Sequence, residues 1–294
     1  MYMPDNIVRW LISTLNINKD FILEFFAYNV SVSDITKKVY IRVSPYMQDA
    51  KKIKLSNEQL KLISFALDNK YLSSFQSNRY SLFDVSFREL NDTSNIGFSF
   101  NDVYDYTYIE PLQVFKPFAE FGIDEFIHTL NSIQKAMFLK KPQYNPIFMI
   151  GTVIDNSKLK NVKAYIRYDL EEAPTILERG NIIKMVATTI NSNITSTTSF
   201  FDIAEKLENL GFIFSFVGID CYASGVERYK IYFRSYDEKN WEVIAKEVTL
   251  TLLQLRLNDR IQNIFSKHKN GMWGIALSTD SFEYVNGVQL YFNP

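Results

Sequence analysis

Three pairs of strand-like segments in the second half of the chain constrain its fold more than any other feature. The pairs are 148–155 with 162–168, 215–222 with 228–234, and 272–278 with 288–292. Apolar and polar residues alternate in two-residue steps along many of these segments, as is typical of strands with one polar face. Gly151 precedes Tyr165 by 14 residues, and Gly218 precedes Tyr232 by the same 14. We therefore interpret the pairs as copies of one β-hairpin, the third copy having a longer turn.

The same unit extends into the first half of the chain, where 39–43 and 103–108 each resemble the second strand of a hairpin. Internal repeats decide architecture. Segments with helical periodicity alternate with the strands, at 5–15, 57–67, 123–138, 176–190, 201–210, 241–255 and 258–268. We predict an α+β fold in which residues 1–294 form one domain. Five αββα repeats would build a ten-stranded antiparallel β-barrel surrounded by a ring of α-helices.

One face of the predicted strands has a recurring chemistry, in which a cation or an amide is followed two residues later by tyrosine. The pairs are Lys38 with Tyr40, Lys163 with Tyr165, Lys230 with Tyr232, and Gln289 with Tyr291. A single strand of this kind is adequately explained as an ordinary amphipathic strand with one wet face. Four such strands in a closed barrel would instead direct their polar faces into one lumen.

A lumen lined by lysine, arginine and tyrosine suits an anion that lies beside a carbocation. Lysine and arginine donate charge-assisted hydrogen bonds to a diphosphate, and tyrosine rings stabilise an adjacent cation through their π faces. An allylic diphosphate that ionises needs both functions. The aspartate-rich motif that holds diphosphate through magnesium in isoprenyl synthases is absent, and so are glycine-rich phosphate loops.

Composition excludes several other classes of protein. The 32 Lys+Arg balance 33 Asp+Glu, whereas a nucleic-acid or membrane-surface binder would show a basic excess. One cysteine and two histidines exclude a disulfide framework, a cysteine-based zinc site and a multi-histidine metal site. Without a long apolar span or a secretory signal, the sequence predicts a soluble, cytoplasmic protein.

The αββα units and the Lys-x-Tyr, Arg-x-Lys-x-Tyr and Gln-x-Tyr strands resemble the ABBA-fold aromatic prenyltransferases, whose architecture is called the PT barrel. Residues 151–170, the helix that follows and residues 216–237 are most similar to the cyanobactin-type peptide prenyltransferases, which modify ribosomally made cyclic peptides. The resemblance covers residues 145–292. It implies that the lumen binds dimethylallyl or a longer isoprenyl diphosphate, with Mg²⁺, and that an acceptor side chain enters from one open end.

The resemblance also implies roles for individual residues. The diphosphate-binding group would be Lys163, Arg228, Lys230, Arg42 and Gln289. A tyrosine shield around the carbocation would consist of Tyr40, Tyr165, Tyr232 and Tyr291. Trp273 would stack on the acceptor, although core packing explains it equally well.

The family places an acidic residue on the first strand, near the acceptor. Glu24 within Ile22–Phe26 is the best match for this catalytic base, and Asp84 is the second candidate. A strand-edge charge facing water is the simpler explanation of Glu24. We interpret Asp155 and Asp220, which stand near strand ends, as residues that serve turns.

The sequence therefore predicts a peptide prenyltransferase that alkylates a tyrosine, tryptophan, histidine or arginine side chain. The acceptor would be a ribosomal peptide, macrocyclic by resemblance, although a linear peptide is also open. Two alternatives remain at this point. One is a small-molecule indole or phenol prenyltransferase on the same barrel, and the other is a non-catalytic carrier of an anionic lipid. A carrier would bind the diphosphate without releasing pyrophosphate.

Overall fold

The strands of the protein form a closed antiparallel barrel in a computed structural model. The structure describes residues 20–31, 35–42, 52–54, 80–87, 95–102, 115, 118, 123–137, 147–155, 158–168, 173–195, 198–235, 241–253, 263–266 and 272–292. The strands are β1 (Asp20–Ser31), β2 (Ile35–Arg42), β3 (Lys52–Lys54), β4 (Tyr80–Phe87), β5 (Asn95–Asp102), β6 (Ile147–Asp155), β7 (Lys158–Arg167), β8 (Phe212–Tyr222), β9 (Gly225–Ser235), β10 (Met272–Thr279) and β11 (Gly287–Phe292). The longer helices are α1 (Ile123–Met137), α2 (Ile176–Ile190), α3 (Ser199–Asn209) and α4 (Trp241–Leu253).

Ten of the strands close into a barrel in the order β1-β2-β4-β5-β6-β7-β8-β9-β10-β11. Closure comes from the antiparallel pairing of β11 with residues 26–31 of β1. The three-residue strand β3 pairs with residues 20–22 of β1, at the free part of the same strand edge. The predicted ten-stranded antiparallel barrel is confirmed.

The outward faces of the strands pack against the helices and form the main hydrophobic core. On β7 this face consists of Val162, Ala164 and Ile166, which are fully buried. Helix α1 covers the barrel with a buried stripe at three- and four-residue spacing, formed by Ile123, Phe126, Ile127, Leu130 and Ile133. Because the outer faces are used for this packing, the polar faces of the strands line the lumen.

Helices α2 and α3 are held together by a buried ion pair. Thr175 and Glu178 form a capping box at the start of α2. One turn further, Nη2 of Arg179 lies 2.8 Å from Oε2 of Glu208 on α3. Glu208 also accepts a hydrogen bond from the backbone N–H of Phe214, 2.6 Å away, which ties the two helices to the start of β8.

The second hairpin, whose second strand the sequence predicts over 103–108, is formed in the structure by β4 and β5. Its second strand is β5, over Asn95–Asp102, and residues 103–108 lie outside the described residues. The outward positions of β5 are the buried Phe98 and Phe100, whereas the inward positions include Gly97. That small inward residue hides the cation-and-tyrosine pattern by which the other copies are recognised. The predicted helices at 5–15 and 57–67 also lie outside the described residues.

Candidate active site

The strand register places the polar residues of neighbouring hairpins side by side in the lumen. Lys163 on β7 pairs with Gly151 on β6 and with Asp220 on β8. Lys230 on β9 pairs with Gly218 on β8 and with Ser278 on β10. Directly opposed residues of neighbouring strands share one face of a sheet. These residues therefore form a continuous ring inside the barrel.

Four cations surround a single described carboxylate in this ring, and we call Lys38, Lys163, Arg228, Lys230 and Asp220 the cation cluster. Arg228 Nε donates to Oδ2 of Asp220 over 2.8 Å, and Nζ of Lys163 lies 4.0 Å from the other oxygen, Oδ1. Only 2% of the Asp220 surface is exposed. Burial alone would raise the pKa of Asp220, but the charges of Arg228 and Lys163 outweigh it and hold the pKa below its usual range.

The excess of positive charge in the cation cluster lowers the pKa values of two of its lysines. Burial, with the nearby charges of Lys163 and Arg228, lowers the pKa of Lys38 to about 7. Burial and Arg228 also hold the pKa of Lys230 well below that of an exposed lysine. A lysine whose pKa is depressed in this way regains its full charge when an anion binds beside it. The cation cluster therefore has more positive than negative side chains and is suited to bind a multiply charged anion.

A hydrogen-bonded chain connects the cation cluster to the first hairpin. Lys230 Nζ donates to Oε1 of Gln289 over 3.1 Å, and Gln289 Nε2 donates to the Tyr40 hydroxyl over 3.2 Å. Gln289 is 2% exposed, so both ends of its amide need partners. The chain orients Lys230 and Tyr40 toward the same part of the lumen.

Six aromatic side chains form a second level of the lumen, which we call the aromatic layer: Phe148, Tyr165, Phe216, Tyr232, Trp273 and Tyr291. Phe216 and Tyr232 stack with ring centres 4.2 Å apart, and Tyr165 and Tyr232 meet at 5.9 Å. Tyr232 follows Lys230 by two residues on the same strand face, which places the layer about 7 Å from the cation cluster along the strand. Burial raises the pKa of Tyr232 and Tyr291 well above 10, so both hydroxyls remain neutral hydrogen-bond donors.

Two glycines make room for the tyrosine rings. A Cβ atom on Gly218 would lie 2.9 Å from Cε2 of Tyr232, and one on Gly151 would lie 3.3 Å from Cε2 of Tyr165. These are the glycines that precede the tyrosines by 14 residues. The repeated spacing therefore has a steric cause, because each ring lies across the backbone of the preceding strand.

A cavity of about 180 Å³ opens beside the cation cluster. Lys38, Lys163 and Arg228 line it, together with Thr36 and Tyr222. It lies on the side of the cation cluster away from the aromatic layer, since Arg228 precedes Lys230 and Tyr232 along β9. An anion can therefore reach the cluster from this end of the barrel.

The structure brings together most of the residues predicted from the sequence. They are Tyr40, Lys163, Tyr165, Arg228, Lys230, Tyr232, Trp273, Gln289 and Tyr291. For the other three, only the backbone is described. Arg42 on β2 pairs with Asp84 on β4, and Glu24 is the extra residue of a β-bulge in β1 between Leu23 and Phe25. Bulges of this kind often stand beside active sites.

The sequence interpretation missed three residues. Asp220 was predicted to serve a turn, which is wrong, because it is the buried counter-ion of Arg228 two residues before the end of β8. Lys38 was recognised as polar-faced but not as part of the site. Phe216 stands at an inward position of β8, where no spacing distinguishes it from core phenylalanines such as Phe214. For Lys38 a signal existed, namely its Lys-x-Tyr spacing with Tyr40.

The described residues do not fit a magnesium ion held by the protein. They contain no cluster of three or more Asp, Glu, His or Cys side chains that could bind a metal. The carboxylate of the cation cluster, Asp220, is already engaged by Arg228 and Lys163. The charge complement for a diphosphate comes here from lysine and arginine. Mg²⁺ bound with the diphosphate stays a prediction.

The architecture matches solved structures of prenyltransferases, although no protein-family model matches the chain and no curated protein is significantly similar to it in sequence. AnaPT from Neosartorya fischeri is 12% identical with a TM-score of 0.60, over 92% of this chain and 78% of that chain. The 6-dimethylallyltryptophan synthase from Micromonospora olivasterospora, solved with DMASPP and Trp, is 10% identical with a TM-score of 0.58, over 94% and 82%.

A third similar structure is the prenyltransferase PriB in a ternary complex with L-tryptophan and dimethylallyl thiolodiphosphate. It is 9% identical with a TM-score of 0.54, over 92% of this chain and 79% of that chain. Among the residues that the structure describes, no helix is both long and apolar enough to cross a membrane. At these identities the likeness concerns architecture, and this chain has the barrel fold of the aromatic prenyltransferases.

Proposed function

We propose that this protein is a prenyltransferase that moves an isoprenyl group from an allylic diphosphate to a nucleophilic acceptor. The observation that carries the proposal is that two neighbouring levels of one lumen differ in chemistry, one being the cation cluster and the other the aromatic layer. The first suits a diphosphate and the second suits the allyl cation that the diphosphate leaves behind. The architecture shared with solved prenyltransferases supports the same reaction class.

The proposed reaction begins with ionisation of the donor. The bond between the allylic carbon and the diphosphate oxygen breaks, and its electron pair leaves with pyrophosphate. Lys38, Lys163, Arg228 and Lys230 stabilise the charge that develops on this leaving group, because the barrel fixes them in place and because Lys163 and Lys230 are almost fully buried. The rings of Tyr165, Tyr232 and Tyr291 face the allyl cation and exclude water, which would otherwise capture it.

The acceptor completes the reaction when its nucleophilic atom forms a bond to the allylic carbon. The acceptor then loses one proton. Glu24 is our candidate base, and Asp84 is the second candidate. The position of Glu24 at the bulge of β1 supports this choice. Trp273, whose ring centre lies 5.1 Å from that of Tyr291, would contact an aromatic acceptor at the edge of the aromatic layer.

Two acceptor classes follow from different observations. The resemblance of residues 145–292 to cyanobactin-type enzymes favours a ribosomal peptide, cyclic or linear. The similar solved structures that hold tryptophan favour a small indole acceptor. A dimethylallyl donor is common to both, and longer isoprenyl donors belong in the same test.

The test is to incubate the full chain with dimethylallyl, geranyl or farnesyl diphosphate and a panel of aromatic amino acids and peptides. Pyrophosphate release and prenylated product are measured separately, with and without added Mg²⁺. Lys230→Met should raise the donor KM and lower turnover. Lys158→Met, at the exposed start of β7, is the control. Donor binding without pyrophosphate release would indicate the anionic-lipid carrier and overturn the proposal.

A further inference from the structure

Asp220 is the negative charge inside the cation cluster, and the reaction proposed above does not use it. Its partners directly across the sheet are both cations, Lys163 on β7 and Arg228 on β9. Only 3% of the Asp220 side chain is exposed, against 38% of the Arg228 side chain, which lines the cavity beside the cluster. Arg228 is therefore in contact with both a buried, fixed carboxylate and the cavity.

A carboxylate at this place weakens the binding of a diphosphate. Arg228 Nε donates to Oδ2 of Asp220 over 2.8 Å, and Nζ of Lys163 lies 4.0 Å from Oδ1. A diphosphate oxygen that accepts a hydrogen bond from either cation would lie within about 7 Å of the Asp220 carboxylate. Like charges at this distance repel each other, and more strongly where burial limits screening by water. Asp220 therefore lowers the affinity of a site whose four cations attract the anion.

The charge of the bound anion changes during the proposed reaction. When the bond between the allylic carbon and the diphosphate oxygen breaks, its electron pair stays with the leaving group, which gains one negative charge. The four cations that stabilise this charge therefore bind the product pyrophosphate more tightly than they bind the donor. A cluster that contained cations alone would be strongly inhibited by its own product.

The cavity gives pyrophosphate a route out of the cluster that does not cross the aromatic layer. Lys38, Lys163 and Arg228 line this route together with Tyr222. The Tyr222 hydroxyl accepts a hydrogen bond from Nη2 of Arg228 over 3.4 Å, and Asp220 accepts one from Nε. Arg228 thus has two partners inside the protein that replace the anion when it leaves.

We propose that Asp220 is a positioning residue that promotes the release of pyrophosphate. It orients Arg228 and Lys163 before the donor binds, and it competes with the anion for both cations once the leaving group has formed. This inference rests on the proposed prenyl transfer and adds a role in product release. A carboxylate with a structural role alone would have the opposite effect on the anion, because its removal would misplace the cations and weaken binding.

The experiment compares Asp220→Asn with the wild type in the binding of inorganic pyrophosphate to the full chain, measured by calorimetry. Asparagine keeps the shape of the side chain and removes its charge. We expect the variant to bind pyrophosphate about 10- to 100-fold more tightly, the effect of one repelling charge at this distance. In a chase with unlabelled pyrophosphate, the variant should lose bound radiolabelled pyrophosphate correspondingly more slowly. Dimethylallyl thiolodiphosphate, a slowly ionising donor analogue with one negative charge fewer than fully ionised pyrophosphate, should gain less affinity.

Two further variants separate the charge from its surroundings. Asp155→Asn is the matched control, because Asp155 pairs with Lys160 over 3.0 Å but both side chains are partly exposed to water. Its pyrophosphate affinity should stay within about twofold of the wild type. Asp220→Asn combined with Lys163→Gln restores the charge balance of the cluster, and this double variant should bind pyrophosphate no more tightly than the wild type.

Equal or weaker binding of pyrophosphate by Asp220→Asn would overturn the role in release. Thermal unfolding decides the question for a destabilised variant, since pyrophosphate should raise its melting temperature more than that of the wild type. The lack of this extra stabilisation would overturn the proposal as well. Neither result bears on prenyl transfer, which is tested separately by pyrophosphate release from dimethylallyl diphosphate. A chain that gains the affinity but cleaves no donor would contradict the enzyme, and with it any product to release.

Discussion

Gly218 links the sequence spacing to the chemistry of the lumen. A methyl group here would lie 2.9 Å from Tyr232 and 3.4 Å from Tyr165, so Gly218→Ala forces at least one ring to turn. We expect turnover to fall about 10- to 100-fold through misplacement of the shield, with the donor KM little changed.

Gly180 in α2 is the matched control, because a Cβ atom there would meet no atom within 4 Å. Gly180→Ala should keep full activity and raise the free energy of unfolding by about 0.5–1 kcal/mol. Wild-type turnover in Gly218→Ala would show that the position of these rings does not matter for the reaction.

Lys38 should make donor binding depend on pH. Its pKa is about 7 in the free protein, so the amine is increasingly neutral above that pH. A bound diphosphate favours the charged form, and binding therefore takes up a proton. Above pH 7 we expect the donor Kd to rise, by up to about tenfold per pH unit for one titrating group. The charged groups around it are Lys163, Arg228, Asp220 and Lys160.

Calorimetric titration with dimethylallyl thiolodiphosphate between pH 6.5 and 9 measures this dependence, and buffers of different ionisation enthalpy report the proton uptake. Lys38→Met should bind the analogue more weakly at pH 6.5 and lose part of the pH dependence. A pH dependence identical in the variant and the wild type would assign the titration to another group, Lys230 being the obvious one.

At the scale of elements, the bulge of β1 locates the candidate base. Glu24 is the extra residue between the pairs Leu23–Ile41 and Phe25–Tyr40. Glu24→Gln keeps the size of the side chain but cannot take the acceptor's proton, and a positioned base contributes about 10²–10⁴-fold to the rate. We expect that loss in product formation with an unchanged donor Kd. Asp84→Asn is the parallel variant, and collapse of activity there alone would move the base to β4.

The turn between β10 and β11 binds the barrel to its helices. Thr198 Oγ1 and Asn191 Nδ2 donate to the carbonyl oxygens of Phe282 and Ser281 over 3.1 and 3.2 Å. Phe282 itself is fully buried against Phe200, although its φ of 63° is in the left-handed region.

This conformation predicts an unusual order of stabilities at position 282. Phe282→Ala should lower the free energy of unfolding by about 3–5 kcal/mol through lost packing. Phe282→Gly removes the same ring but relieves the backbone, so it should be more stable than the alanine variant by about 1 kcal/mol. Urea unfolding measures both, with the half-exposed Tyr284→Ala as the control. A glycine variant less stable than the alanine variant would contradict the strain.

At the scale of the whole molecule, the barrel could be predicted because one hairpin is repeated. Its inner face can be recognised in the sequence by a cation or an amide followed two residues later by tyrosine. The three C-terminal hairpins and helices such as α2 over Ile176–Ile190 follow the periodicity of the sequence closely. The second hairpin could not be placed, since Gly97 on its inner face carries none of the chemistry that marks the others.

The candidate site likewise contains residues that could be predicted from the sequence and residues that could not. Lys163, Lys230, Gln289 and the tyrosines could be found because a two-residue period within one strand predicts a shared face. Asp220 could not, because its partner Arg228 is identified by the pairing of β8 with β9 and not by spacing along one strand. Arg234 could be recognised as a polar-faced residue, but its contacts with the rings of Phe216 and Trp273 depend on the pairing of β9 with β8 and β10.

The pairing of β11 with β1 has a consequence for how the protein acquires its structure. The first and last strands of the barrel are joined across residues 26–31 and 287–292, so the closing contact joins residues 256 to 266 positions apart, from Ser31 with Gly287 to Phe26 with Phe292. Contacts of this kind slow folding, and an open sheet exposes two unpaired edges until they form. On the ribosome, the edge of β1 must wait until β11 at Gly287–Phe292 has been synthesised, which makes this edge the place where a chaperone would be needed most.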